Sequence, residues 1–155
     1  MSNKIFYIDI ETGKLLNNRG VYILDKPIIS YQAQPIWELH FVSIGTDGIL
    51  IPSDLTEAAV WKAAIDTDFD SSTEPMVRTL PEGFDVSKRN EGIISVELDA
   101  NTETFFEKID GKQQVDAYLE LRGYNGDGRL AYDYKIKITC GGAIDPVGTL
   151  PLPVP

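Results

Sequence analysis

The sequence predicts an all-β fold with a minor helical part, an antiparallel β-sandwich of about seven to eight strands with one short helix. Apolar residues alternate with polar ones in several short runs, which is the spacing of half-buried strands. Turn-forming residues separate these runs, and the chain contains 13 Gly and 9 Pro. One segment has the apolar spacing of a helix. The pattern favours strands joined by turns over a helical fold.

Length and charge limit the class of protein. The 155 residues fit one domain, and 43% hydrophobic with 25% charged residues is an ordinary globular composition. A net charge of −10 repels phosphate backbones and anionic lipids, so we expect neither nucleic acid nor membrane as a partner. The single cysteine, Cys140, rules out a disulfide within the chain and fits a reducing compartment.

Neither a secretory signal nor a membrane span is visible. The start "MSNKIFYIDI" lacks a basic segment followed by a long apolar core. No window reaches the roughly 18 consecutive apolar residues that a spanning helix needs. We therefore expect the protein to be made and folded inside a cell.

The first third predicts one strand and one irregular arm. Phe6, Ile8 and Ile10 lie on one side of a period-two pattern, which indicates an opening strand over residues 4–10. The stretch "ETGKLLNNRG" is turn-rich. The apolar segment that follows is interrupted by Pro27 and Pro35, so we expect an edge strand or a covering arm there.

The middle of the chain starts with a clear strand. Trp37, Leu39 and Phe41 alternate with Glu38 and His40, and "TDG" then supplies a turn. In "IPSDLTEAAVWKAAID", a serine or aspartate could cap a short helix, yet the apolar residues alternate as in a strand. We favour a turn at residues 54–56 and a strand over residues 60–66.

A polar loop and a short helix are expected next. Residues 67–91 are polar and contain three Pro or Gly, which predicts a long loop of functional or mobile character. The stretch "GIISVELD" predicts a strand. In "ANTETFFEKIDG", Asn101 or Thr102 can cap a helix that Gly111 ends, and its apolar stripe is formed by Phe105, Phe106 and Ile109.

The last third predicts a β-hairpin. "VDAYLELR" and "RLAYDYKIKIT" both alternate strictly, and a short glycine-rich link joins them. After Cys140 the chain becomes "GGAIDPVGTLPLPVP", an extended proline-rich tail. We therefore predict one β-sandwich domain over residues 1–140 and a tail over residues 141–155.

The hairpin link "RGYNGDGRLAYD" resembles a calcium loop, but its register does not fit. An EF-type loop needs oxygen ligands at its first, third, fifth and twelfth positions and Gly at the sixth. With Gly128 at the sixth position, Asp127 and Asn125 fit, but Gly123 stands first and Tyr134 twelfth. Strands rather than helices flank it. The sequence favours a turn over a metal site.

Other catalytic groups are sparse. His40 is the only histidine, which excludes any arrangement that needs two, and we interpret it as a solvated or interface residue. Cys140 is interpreted as a buried or half-buried thiol. Two loop carboxylates at a suitable separation could hydrolyse glycosides, although a solvated loop is the simpler interpretation. The acidic residues concerned are Asp66, Asp68, Asp70, Glu74, Glu82 and Asp85.

Exposed aromatic residues support one binding hypothesis. Tyr118 is expected on the outer face of its strand, and Tyr124 near the hairpin tip. Aromatic rings on a sandwich can stack on sugars or anchor a protein partner. The other large aromatic residues are interpreted as core, namely Trp37, Trp61, Phe105 and Phe106.

Three stretches, taken in order, resemble small phage and prophage tail-associated proteins. They are "PSDLTEAAVWKAAI", "GIISVELDANTETFFEKIDGKQQVDAYLELR" and "GRLAYDYKIKITCGG". The order is most similar to the N-terminal β-sandwich of baseplate upper proteins and to tail-fibre attachment domains. The matching positions are 54–56, 92–99, 102–109, 118–121 and 135–139, and the resemblance covers about half to two-thirds of the chain. Those proteins usually continue into a fibre or receptor-binding region, and the N-terminal third finds no counterpart.

The resemblance implies a virion structural component with no catalytic residues, no cofactor and no metal. We expect a non-enzymatic assembly protein whose partners are other phage structural proteins or itself, with a trimer as the commonest oligomer. Exposed edges and extended arms add strands to neighbours through main-chain hydrogen bonds. The candidate partner contacts are Pro27, Ile28, Tyr31, Pro35, Tyr118, Tyr124, Asp127, Leu150, Pro151 and Leu152. The alternatives are a carbohydrate-binding module and a small hydrolase with a loop carboxylate pair.

Overall fold

Two β-sheets and one α-helix make up the structure, a computed structural model that describes residues 4–69 and 72–142. The first sheet contains β1 (Lys4–Asp9), β2 (Leu15–Leu16), β4 (Ile36–Ile44), β5 (Leu50–Pro52), β8 (Phe84–Asp85) and β9 (Ile93–Glu97). The second sheet contains β3 (Ile28–Ser30), β6 (Val60–Asp66), β7 (Val77–Thr79), β10 (Gln114–Tyr124) and β11 (Leu130–Gly141). The helix α1 spans Glu103–Ile109, and short 3-10 helices span Pro81–Gly83 and Arg89–Glu91.

Both sheets are mixed, which corrects the prediction of a plain antiparallel sandwich. The first sheet has the order β2-β1-β4-β9-β8, with β5 also paired to β4, and the second has the order β3-β11-β10-β6-β7. The strand pairs β1–β4 and β3–β11 are parallel. The described residues form eleven strands rather than seven or eight. The additional ones have two or three residues, which is too short for alternation to show.

The N-terminal predictions are confirmed in outline. β1 covers the expected opening strand, and β4 buries Trp37, Leu39 and Phe41 while Glu38 and His40 stay half-buried. The segment between the two prolines forms β3, which lies at the edge of the second sheet. β2 was not predicted, since a pair of leucines in a turn-rich stretch shows no periodicity.

The expected long loop over residues 67–91 is instead partly regular. It contains β7, β8 and both 3-10 helices. Met76 and Val77 are buried at its centre, and the Thr102 hydroxyl donates to the main-chain oxygen of Met76 at 2.7 Å. These apolar residues are too few to stand out in a polar stretch, yet they anchor it to the core.

The helix begins and ends close to the predicted residues. Thr102 caps it, because its Oγ1 accepts a hydrogen bond from the Phe105 N–H at 3.0 Å. Asp110 takes the left-handed conformation at its end, with φ of 53°. Phe105 is buried as expected, but Phe106 is 42% exposed and packs on Tyr31 rather than in the core.

The C-terminal hairpin is confirmed. β10 and β11 pair from Gln114–Gly141 to Tyr124–Leu130. At the tip, the Asn125 side-chain oxygen accepts hydrogen bonds from the N–H groups of Asp127 and Arg129, each at 3.0 Å. In residues 4–69 and 72–142, no group of three or more His, Cys, Asp or Glu side chains could hold a metal ion. The two hydrogen bonds that Asn125 accepts stabilise the turn.

One core lies between the two sheets. The Phe41 ring of the first sheet lies 5.7 Å from Trp61 and 5.3 Å from Tyr134, both in the second sheet. A Cβ added at Gly123 would lie 2.9 Å from the Trp61 ring, so only glycine fits beside this indole. No helix within the described residues has the length and apolar content needed to cross a membrane.

Candidate functional site

Three of the residues predicted to contact partners make contacts within the fold. Pro27 is buried, and its main-chain oxygen accepts a hydrogen bond from the Thr139 N–H at 2.8 Å. Tyr31 is half-buried and stacks on Phe105, with ring centroids 6.1 Å apart. The main-chain oxygen of Pro35 accepts from the Leu98 N–H at 2.9 Å. The N-terminal arm is thus tied into the structure at three points.

The remaining candidates do not form one cluster. Ile28 is 50% exposed on β3, and Asp127 is exposed at the hairpin tip. Tyr118 and Tyr124 both lie on the outer face of the second sheet, where they are half-buried. The tail residues Leu150, Pro151 and Leu152 lie outside the described residues.

The histidine and the cysteine lie in different layers. His40 is on the outer face of the first sheet, where its Nε2 lies 2.7 Å from Glu38 Oε2. Cys140 is fully buried in the second sheet, and burial raises the pKa of its thiol to about 12. A thiol with this pKa stays protonated at neutral pH and is a poor nucleophile.

Carboxylates of the 67–91 region and its border form local contacts. Asp66 pairs with Lys108 at 2.7 Å. Hydrogen bonds from Ser87 hold the pKa of Asp85 below its usual value, and those from Thr56 do the same for the pKa of Asp54. A general acid of a hydrolase needs the opposite shift. Asp70, another of the acidic candidates, lies outside the described residues.

The most distinctive feature for an interaction is the long edge of β11. This strand has twelve residues, and β10 covers one side of it along its whole length. On the other side β3 pairs only with Thr139, Cys140 and Gly141. The portion before Thr139 has no strand partner on that side among residues 4–69 and 72–142.

Main-chain alternation identifies the open groups. The Thr139 N–H and the Gly141 oxygen bond to the β3 segment, so every second residue towards the hairpin tip directs its N–H and C=O to the same side. These residues are Asp133, Lys135 and Lys137. None of their six main-chain groups has a backbone partner in the part of the chain that the structure describes.

A groove of about 660 Å³ runs beside this edge. The residues that line it include Leu15, Ile136 and the segment 22–26. This segment crosses from the first sheet to the second. Within that segment Leu24 is 95% exposed. We call the open residues of β11 together with this groove the β11 edge site.

The β11 edge site carries an excess of positive charge. Four lysines line it, and the one acidic residue among the lining residues is Asp25. The lysines are Lys14, Lys26, Lys135 and Lys137. Lys26 pairs with Asp116 at 3.0 Å, and Lys135 pairs with Glu120 and Asp133. The groove therefore offers main-chain hydrogen bonds, apolar surface and lysines to an incoming strand.

Sequence reasoning missed this site although it assigned its strands correctly. The alternation of β11 was clear, and its lysines face outwards as such a pattern requires. What the sequence does not show is that β3 covers only the last three residues of the strand. Comparison with protein-family models, with curated proteins and with solved structures found no match.

Proposed function

We propose that this protein is a non-enzymatic assembly component of a phage or prophage tail, acting through protein–protein contacts. The observation that carries the proposal is the open β11 edge, which offers six main-chain groups beside an exposed apolar segment. An extended strand from a neighbouring subunit adds to β11 and fills the groove. Strand addition of this kind is a common way for β proteins to assemble.

The energetics favour such a contact. Each main-chain hydrogen bond contributes about 0.5–1.5 kcal/mol net, and burial of Leu24 and Ile23 adds apolar stabilisation. The lysines on both sides of the groove favour a partner strand with acidic residues. A second copy of this chain, with a net charge of −10, has many of these to offer.

The link to phage tails rests on the sequence resemblance. The quoted stretches fall in and around β6, β9, α1, β10 and β11. These elements include most of the second sheet and one strand of the first. The proteins they resemble assemble as homo-oligomers, most often trimers. We therefore expect a homo-oligomer, with other tail proteins as further partners.

A competing interpretation is that the lysines protect the edge. Natural proteins often place lysine on exposed edge strands to prevent unwanted pairing. In that case β11 stays open and the protein remains monomeric. The two interpretations predict different masses in solution.

The test is light scattering coupled to size-exclusion chromatography over a range of protein concentrations. We expect an oligomer that Lys135→Pro dissociates, because proline removes a donor and blocks the edge. Lys135→Thr removes the same charge but keeps the main-chain N–H, so this control variant should still assemble.

Two results would contradict the proposal. One is a monomer at every concentration together with a gene that has no phage structural genes as neighbours. The other is equal dissociation by Lys135→Pro and Lys135→Thr, which would assign the contact to the lysine side chain rather than to the strand edge.

A further inference from the structure

The outer face of the second sheet carries a continuous groove that meets the β11 edge site at Lys135, which lines both. Two cavities, of about 480 and 400 Å³, adjoin along it. They share Ala64, Arg78, Glu120 and Arg122 in their linings. We call this feature the outer groove.

A small residue at the centre of the face creates the depression. In the strand register, Ala64 of β6 lies between Arg78 of β7 and Glu120 of β10. Its methyl group leaves space between two long side chains. The groove extends from there in both directions along the strands.

Three cations surround Ala64. Arg78 pairs with it in register, and Lys62 and Arg122 form the next row of the sheet. Arg78 makes no ion pair with any residue in the described ranges 4–69 and 72–142. In a chain with a net charge of −10, an arginine left uncompensated beside two other cations marks a place for an anion.

Arg122 retains capacity for a ligand. It lies 3.4 Å from both Glu120 and Asp133, which is longer than a direct charge-assisted hydrogen bond. Its Nε is shielded from solvent and its side chain also bonds to Tyr124, so only the remaining exposed part of the guanidinium is open to a ligand. A planar carboxylate accepts two parallel hydrogen bonds from a guanidinium, so arginines suit this anion better than lysines do.

Aromatic rings stand at both ends of the groove. Phe69 is 56% exposed, and its ring lies 4.7 Å from that of Tyr118. Tyr124 lies at the opposite end, with the Lys62 ammonium 5.6 Å from its ring. The six residue-to-residue steps from Tyr118 to Tyr124 span roughly 20 Å along an extended strand. Such a length suits a chain-like ligand rather than a single small ion.

We propose that the outer groove binds an acidic oligosaccharide, a sugar chain that bears carboxylate groups. A carboxylate lies between Arg78 and Arg122, a neighbouring sugar packs on Phe69 or Tyr118, and hydroxyl groups donate to Glu120. A neutral sugar would leave Arg78 uncompensated.

The experiment is an NMR titration of the full chain with short oligouronates and sialylated oligosaccharides at low salt. Fully methyl-esterified oligouronates have the same sugars without the charge, and inorganic phosphate has charge without a sugar. We expect the acidic oligosaccharides to shift resonances of the outer groove, with both controls at least about tenfold weaker.

Two variants locate the site, and a third controls for charge. Arg78→Ala breaks no ion pair and should weaken binding about tenfold or more. Ala64→Leu keeps the charge but fills the depression, and it should weaken binding as much. Arg19→Ala removes one exposed positive charge from a loop outside the groove and should leave binding unchanged.

Each other outcome overturns the proposal. If no acidic oligosaccharide binds, the groove is not a sugar site. If phosphate binds as tightly, it takes an anion alone, and if the esterified sugars bind as tightly, the cations have no role. If Arg19→Ala weakens binding as much as Arg78→Ala, the effect is one of overall charge. None of these results bears on the oligomeric state, so this proposal and the proposed function fail separately.

Discussion

The outer faces of the two sheets differ in how they meet solvent. On the first sheet, the loop at residues 17–21 folds over the β4–β5 hairpin, and Leu16 and Val42 are 2% and 4% exposed outside the main core. Gly20 makes this packing possible, since an added Cβ would lie 3.1 Å from the Gly48 oxygen. On the second sheet, a row of charged and aromatic side chains remains open along the outer groove.

The difference suggests that the two faces contribute unequally to stability. On the first face the two-residue strand β2 pairs with β1, and its Leu16 is buried. The second face gains little from its exposed ion pairs, because such pairs contribute about 0–1 kcal/mol. Equal truncations on the two faces should therefore have unequal costs.

The largest expected effect is on the first face. Leu16→Ala should lower the free energy of unfolding by about 2–4 kcal/mol, because it empties a covered apolar site. Tyr118→Ala on the second face should cost less than about 1 kcal/mol. Urea unfolding followed by tryptophan fluorescence measures both, and similar losses would remove the contrast between the faces.

High pH should destabilise the fold through two buried groups of the second sheet. Burial raises the pKa of Tyr134 and that of Cys140 to about 12, from usual values of 10.0 and 9.0. Both groups stay protonated to higher pH in the folded state, so their contribution to stability is constant below pH 9 and falls as the pH rises towards 12.

The loss should be on the order of a few kcal/mol, and Cys140→Ala should delay its start from about pH 9 to about pH 10. Unfolding midpoints in urea across this pH range are the measurement. An unchanged onset in the variant would show that the thiol does not contribute.

The edge of the second sheet gives a third contrast, between positions two residues apart. Thr139→Pro deletes the N–H that bonds to Pro27 and should cost about 1–3 kcal/mol more than Lys137→Pro, whose N–H is open. Thermal and urea unfolding of the two variants at low protein concentration compare them as monomers. Equal destabilisation would mean that the Lys137 main chain is also paired.

The smallest effect is expected from the ion pairs themselves. Arg122 is close to two carboxylates, yet Arg122→Ala should change the free energy of unfolding by less than about 1 kcal/mol, since water and salt screen the exposed charges. Raising the salt concentration should affect the parent protein equally little. A larger loss in either experiment would show that the second face also contributes to stability.

The sequence was informative where strands are long. The pattern in β4, β6, β10 and β11 predicted both their position and their inward face, because five or more alternating residues leave little ambiguity. The two-residue strands β2 and β8 gave no pattern. The parallel pairings depend on where distant segments dock, which local composition does not encode.

The candidate site was harder to predict for the same reason. Tyr118 was placed correctly on the outer face of its strand and Tyr124 near the hairpin tip, but Phe69 and Arg78 reach the outer groove from the stretch expected to be a loop. The burial of Pro27 was not predicted, because a proline that limits pairing can still be buried by its neighbours. The length of β3 decides which main-chain groups of β11 remain open, and β3 has three residues.

The end of β11 also determines how the protein would respond to a pulling force. The Gly142 N–H bonds to the Gln113 oxygen at 2.8 Å, and the Gly141 oxygen accepts from the Tyr31 N–H at 2.9 Å. A force applied at residue 142 perpendicular to the strand loads these bonds first and then breaks the following bonds one after another. Tension along the strand loads them together and meets greater resistance. The mechanical strength of the subunit therefore depends on the angle at which a load leaves the sheet.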